Sequence, residues 1–183
     1  MLISNIISSS PVIFYASALF GYLITSSDKN YETRFFHETY KINIFLLFII
    51  GFIIFYSILN PISKKLFEYI FKNTSYNYLL ERPNPPIHGC GLYPDLKLRG
   101  SSSYGFPSGH SQACAFFATF WTMYLLKVNN ININTYIRIT SLWIMAGCIF
   151  YQRIATGCHN LLQVVGGASI GIVSATIFFK NFL

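Results

Sequence analysis

The chain has 183 residues, 53% of them hydrophobic and 18% aromatic but only 10% charged, against roughly 25% charged in an average soluble domain. With a mean hydropathy of +0.46, too few polar groups remain to coat a water-facing surface, which excludes an ordinary soluble globule and points to lipid as the solvent. The net charge of +7, from 13 Lys and Arg against 6 Asp and Glu, is spread over the ends of apolar runs as helix anchors, not gathered into a nucleic-acid groove.

The length allows one membrane-embedded domain, residues 1–183, with about five or six crossings of ~20 residues. Ser10 and Pro11 open the first predicted helix, Ser10 as its cap and Pro11 in its first turn, and the apolar run continues to Thr25. No Lys or Arg precedes it, so it reads as an uncleaved membrane helix and not a secretory leader. A polar loop, 26–41, follows.

Residues 42–59 are uncharged and apolar, the clearest transmembrane helix, and Asn60-Pro61 is expected to break it. Segment 62–80 then reads as a separate amphipathic helix. Lys64, Glu68 and Lys72 recur on one face, with Leu66, Phe67, Ile70 and Phe71 on the other. Its charges leave open whether it crosses the bilayer or lies along it.

Residues 81–109 contain five prolines and five glycines, which predicts a long loop. Apolar segments follow at about 110–126, 136–152 and 160–179, the last with Gly167, Gly171 and Ala175 at helical spacing, a face for close packing or for a homo-oligomer. The expected architecture is all-α, a polytopic membrane helical bundle.

The four cysteines lack metal-site spacing, and no metal or other cofactor is expected. Cys114 and Cys148 fall in apolar segments as packing residues. Cys90 and Cys158 fall on one side and can pair as a disulfide if that side is oxidising.

Three polar clusters stand out in so apolar a chain: Arg82-Pro83, Pro107-Ser108-Gly109-His110, and Arg153 with His159. The middle one lies where a loop becomes a helix, and free N–H groups with the helix dipole make such a junction an anion site. Gly109 lets the backbone approach closely, and Ser108 can cap or donate. Arg153 adds a planar donor set suited to phosphate oxygens. His159 and Gln163 are one turn apart, so the amide oxygen can take one imidazole N–H and leave the other nitrogen to act. Together these groups suit phosphoryl transfer without a metal.

The order Arg-Pro, Pro-Ser-Gly-His, Arg-x5-His resembles the three-part signature of the type 2 phosphatidic acid phosphatase family, integral-membrane lipid phosphatases related to the vanadium haloperoxidases. The resemblance spans roughly the C-terminal two-thirds of the chain, and its tetrapeptide arises by chance in on the order of one such chain in a thousand. It implies that His159 is the nucleophile, that His110 protonates the leaving oxygen, and that Arg82, Arg153, Ser108 and the Gly109 backbone hold the phosphate. A lipid phosphate or diphosphate substrate is implied too, with both termini cytoplasmic and the site on the lumenal or outer face of an endomembrane such as the endoplasmic reticulum. In a six-span arrangement Lys64, Lys65, Lys127, Arg138 and Lys180 would lie opposite the site, and Lys29, Arg34, Lys41, Lys97 and Arg99 beside it, so counting positive charges does not orient the chain.

The chain departs from the family pattern in three places. The lysine seven positions before the arginine is Ser75, with Lys72, Lys97 or Arg99 as substitutes; the serine before the second arginine is Gln152; and the aspartate four residues after the histidine is Gln163. Glutamine orients the ring but cannot stabilise an imidazolium as a carboxylate does, so slower chemistry is expected, and a large gain on replacing Ser75 by Lys and Gln163 by Asp would mark a weakened site. A silent homologue that binds anionic lipid head groups, and a head-group transferase, are the alternatives.

Overall fold

A computed structural model describes residues 9–24, 30–35, 38–83, 90, 104–128 and 131–183. In chain order these form α1 (Ser10–Ile24), β1 (Asn30–Phe35), β2 (Glu38–Asn43), α2 (Ile44–Phe52), a π-helical turn (Ile53–Ile58), α3 (Leu59–Phe71), α4 (Asn77–Leu80), α5 (Gly109–Val128), α6 (Ile133–Ala155) and α7 (Leu161–Phe182). The architecture is an all-α bundle with one small addition, a hairpin where the sequence suggests only a polar loop. Strands β1 and β2 pair antiparallel with Glu32 opposite Lys41 and Tyr31 opposite Ile42, a register that matches opposite charges.

Pro11 occupies the first turn of α1, but Ser10 is not its cap. The Ser9 carbonyl accepts from the Val12 and Ile13 N–H groups at 3.0 Å each, while Ser10 Oγ lies 3.9 Å from Cys114 Sγ.

The expected break at Asn60-Pro61 does not occur. Proline lacks an N–H and crowds the carbonyl four residues back, and the helix accommodates this by widening just before it, where the Leu59 N–H bonds to the Ile54 carbonyl five residues back. Ile44–Phe71 is therefore one continuous helix of 28 residues, about 42 Å long at 1.5 Å per residue. Along this helix Ile62, Leu66 and Ile70 are 50–55% exposed, whereas Lys64, Phe67 and Glu68 are half-buried. Aliphatic residues outward with Lys64 and Glu68 turned inward is the arrangement that lipid selects.

Helix α5 runs through the centre, with Ala113, Cys114, Phe116 and Phe120 fully buried. Aromatic rings close around it, Phe14 stacked on Phe117 at 4.2 Å and Phe48 edge-on to Phe120 at 5.3 Å. The small-residue face of α7 packs here: an added Cβ on Gly167 or Gly171 would lie 2.3 Å from the Ser108 or the Gln112 carbonyl oxygen. The stretches Ile44–Phe71, Ile133–Ala155 and Leu161–Phe182 are long and apolar enough to cross a membrane, and Ile137, Ile144, Val165 and Val173 face outward. The chain is an integral membrane protein.

Phe45 packs on Trp121 and Asn60 bonds Gln112, so Ile44–Phe71 runs antiparallel to α5. The hairpin therefore sits at the end where Lys127 Nζ donates to the Leu183 carbonyl. Lys64 and Lys65 sit at the other end, with the start of α5. The six-span arrangement, which places them away from the polar clusters and the 26–41 loop beside those clusters, is thereby corrected.

Candidate active site

The polar clusters converge where α3, α4, α6 and the N-termini of α5 and α7 meet. Helix α6 stops at Ala155, and Gly157 turns the chain with φ 68°, a left-handed conformation that glycine adopts without strain. The turn closes when the His159 N–H bonds to the Arg153 carbonyl at 3.1 Å. Asn160 then caps α7, its Oδ1 accepting from the Gln163 N–H at 2.9 Å, and its Nδ2 donates to the Leu79 carbonyl at 2.9 Å, tying the turn to α4.

His159 is buried, with Nδ1 2.9 Å from Gln163 Oε1. The glutamine has no freedom to flip: its Nε2 donates to the Glu81 carbonyl at 2.7 Å and the Leu79 carbonyl at 3.2 Å. Both amide hydrogens are thereby engaged, Oε1 faces the ring, and the imidazole proton belongs on Nδ1. Gly105 leaves the space, since an added Cβ there would meet Gln163 Oε1.

The other ring nitrogen, Nε2, faces Arg82, whose Nη1 lies 3.4 Å away and donates to the Cys158 carbonyl at 3.0 Å. Burial is the main force that drives the His159 pKa from its ordinary 6.5 down to about 2; the charges of Arg82, Arg153 and Lys64 add to it and the Gln163 bond opposes it. The ring is thus neutral across the physiological range, with the Nε2 lone pair available. Burial also lowers the pKa of Arg82.

Arg153 is fully buried at the end of α6 and donates through Nη2 to the Cys90 carbonyl at 2.8 Å. Cys90 is bonded to Cys158 in a disulfide, S–S 2.06 Å. This bridge joins Cys90 to the residue beside His159, the pairing that the two positions suggest in the sequence; the rest of the predicted loop, 84–89 and 91–103, lies outside the described residues. Cys114 is buried among packing residues, whereas Cys148 is exposed on the outer face.

Ser108 and Gly109 stand at the start of α5. Ser108 is buried, its N–H donating to the Gln163 carbonyl at 3.0 Å and its Oγ accepting from Ser111 Oγ at 3.0 Å. The backbone at Ser108 is thus fastened to the helix that carries Gln163. His110 is buried in the first turn of α5.

Ser75 and Lys72 are exposed in and beside the turn after α3; Lys97, Arg99, His37 and His88 lie outside the described residues. Sequence reasoning missed Lys64, which stands within electrostatic reach of Arg82, Arg153 and His159. Its spacing of four and three residues from Asn60 and Phe67 was the available signal.

A family model described as the PAP2 superfamily matches residues 46–183. Over 117 residues the chain is 29% identical to a dolichyldiphosphatase of Saccharomyces cerevisiae, covering 63% of this chain and 47% of that protein. It is 32% identical over 106 residues to dolichyldiphosphatase 1 of Dictyostelium discoideum, covering 56% and 44%. It is 36% identical over 90 residues to lipid phosphate phosphatase gamma of Arabidopsis thaliana, covering 45% and 38%. The chain spans less than half the length of these relatives. No solved structure matches it. With the three clusters drawn to one end of a membrane bundle and the family match running from α2 to the C-terminus, the chain belongs to the PAP2 superfamily.

Proposed function

We propose that the protein is a metal-independent phosphatase that hydrolyses a lipid phosphate or lipid diphosphate through a phosphohistidine. The observation that carries this reading is the state of His159: neutral, its Nδ1–H held by Gln163, and its Nε2 turned toward a guanidinium. In the first step Nε2 attacks phosphorus and the bond from phosphorus to the lipid-side oxygen breaks, while His110 gives that oxygen a proton. Water then attacks the phosphohistidine, His110 takes its proton, and free phosphate leaves with both rings restored. Arg82 and Arg153 are the charge partners for the phosphoryl oxygens, with the Ser108 and Gly109 segment at the dipole end of α5.

The reading places the site on an oxidising face, lumenal or extracytoplasmic, in an endomembrane such as the endoplasmic reticulum; the Cys90–Cys158 bridge beside His159 supports that side. The names of the relatives support a dolichyl diphosphate and a lipid phosphate as the first substrates to try.

The test is phosphate release by the purified protein in detergent from phosphatidic acid, an isoprenyl diphosphate and a sphingoid phosphate, with and without EDTA. Release that survives EDTA and falls at least a thousandfold in His159→Ala is the expected result, in line with the large losses roughly seen on removing a covalent nucleophile. Release that persists in His159→Ala overturns the nucleophile, and no release from any substrate overturns the phosphatase reading.

A further inference from the structure

Helix α3 turns one strip of its surface toward the segment that carries Pro107, Ser108 and Gly109. Near its start, Asn60 Nδ2 donates to the Pro107 carbonyl at 3.5 Å and to Gln112 Oε1 at 2.8 Å. Two turns on, the Phe67 ring meets Phe106 edge to face at 4.6 Å. Residues at i, i+4 and i+7 share a helix face, so Lys64 lies between these anchors, on the strip held against the loop. It is half-buried, and a four-carbon stem lets an ammonium in that position extend along the strip toward a polar end.

The surroundings of that ammonium are positive. Arg82 and Arg153 both act on it, and it acts in turn on His159. Cations gathered in a place of low dielectric repel one another until an anion joins them. The position that holds a lysine in the family pattern, Ser75, is exposed in the turn after α3, and Lys72 beside it is exposed as well; neither shares the inward strip.

We propose that Lys64 binds the substrate phosphate as the third cation of the site, beside Arg82 and Arg153, from a position eleven residues ahead of Ser75. This rests on reading the site as a phosphate site. Lys64 reaches the phosphate from the side of α3.

Two measurements on the full chain in detergent separate this proposal from the function it rests on: orthophosphate affinity, by calorimetry, and steady-state phosphate release. Lys64→Met is expected to weaken orthophosphate roughly 10- to 100-fold, the range for losing one charge-assisted contact, and to raise KM more than it lowers kcat. Lys64→Arg should retain most of the affinity, and Lys65→Met, on the exposed neighbour, should change neither quantity. If Lys64→Met does not fold, Lys64→Gln takes its place. Unchanged affinity without the Lys64 charge, or an equal loss in Lys65→Met, overturns the proposal. A wild-type protein that binds orthophosphate but releases none from lipid overturns the phosphatase and leaves the Lys64 assignment to stand on affinity; one that binds no orthophosphate overturns both.

Discussion

Gln163 accounts for its own departure from the family pattern. A carboxylate there would turn an oxygen toward the Leu79 and Glu81 carbonyls, which now receive both amide hydrogens. Acceptors would face acceptors in a buried place, at about 1–3 kcal/mol for the bonds lost. An aspartate at this position is therefore not a repair of a weakened site, and the gain in rate that the family pattern suggests for Gln163→Asp is not expected. The isosteric Gln163→Glu should lower the melting temperature and reduce kcat by roughly 10- to 100-fold, the equivalent of that energy. An increase in kcat in either variant would show that the carbonyls of Leu79 and Glu81 do not choose the amide.

At the scale of elements, the pairing of α5 with α7 decides whether the site exists. A Cβ on Gly167 would stand 2.3 Å from the Ser108 carbonyl oxygen, and backbone cannot give way as a flexible side chain can. Gly167→Ala should cost about 1–3 kcal/mol by overpacking, seen as a lower melting temperature, and weaken phosphate release as Ser108 parts from Gln163. Gly147→Ala on α6, where nothing lies within 4 Å of the new Cβ, should instead be neutral or gain up to about 1 kcal/mol from helix propensity. The glycine spacing was legible in the sequence because small residues at every fourth position have one geometric use. The continuation through Pro61 was not, since proline's local rule predicts a break and the π-turn that evades it has no composition of its own. The hairpin was obscured by the charges in 30–43, although Asn30–Phe35 and Glu38–Asn43 alternate in the manner of strands.

For the whole molecule, charge sets a dependence on pH. His159 titrates near 6.5 when unfolded and about 2 when folded. Below pH 6.5 the unfolded chain takes up a proton that the native ring refuses, so stability present above 6.5 is lost as pH falls toward 2, at up to about 1.4 kcal/mol per unit. Between pH 7.5 and 5 the wild type should lose about 2 kcal/mol from this group, and His159→Asn should flatten that part of the slope in thermal unfolding. An identical slope in the variant would show that the ring charges freely in the folded protein. The polar clusters that meet at the candidate site were legible as an ordered set of motifs, because each is a short run of unusual polar residues in an apolar chain. Lys64 was not, because amphipathic reasoning for water assigns a charged face outward, and in lipid that assignment reverses.

The π-turn at Ile53–Ile58 acts as a phase shifter between two halves of one rod. Each residue inserted into a helix rotates everything beyond it by about 100°. The turn therefore sets the angular offset between Phe48 and Phe52, which lock into the aromatic core, and Asn60, Lys64 and Phe67, on the strip that meets Phe106 and Pro107. Removing a single residue from it would leave both halves helical and apolar enough for the bilayer, yet swing the lysine strip about a quarter turn away, into the hydrocarbon.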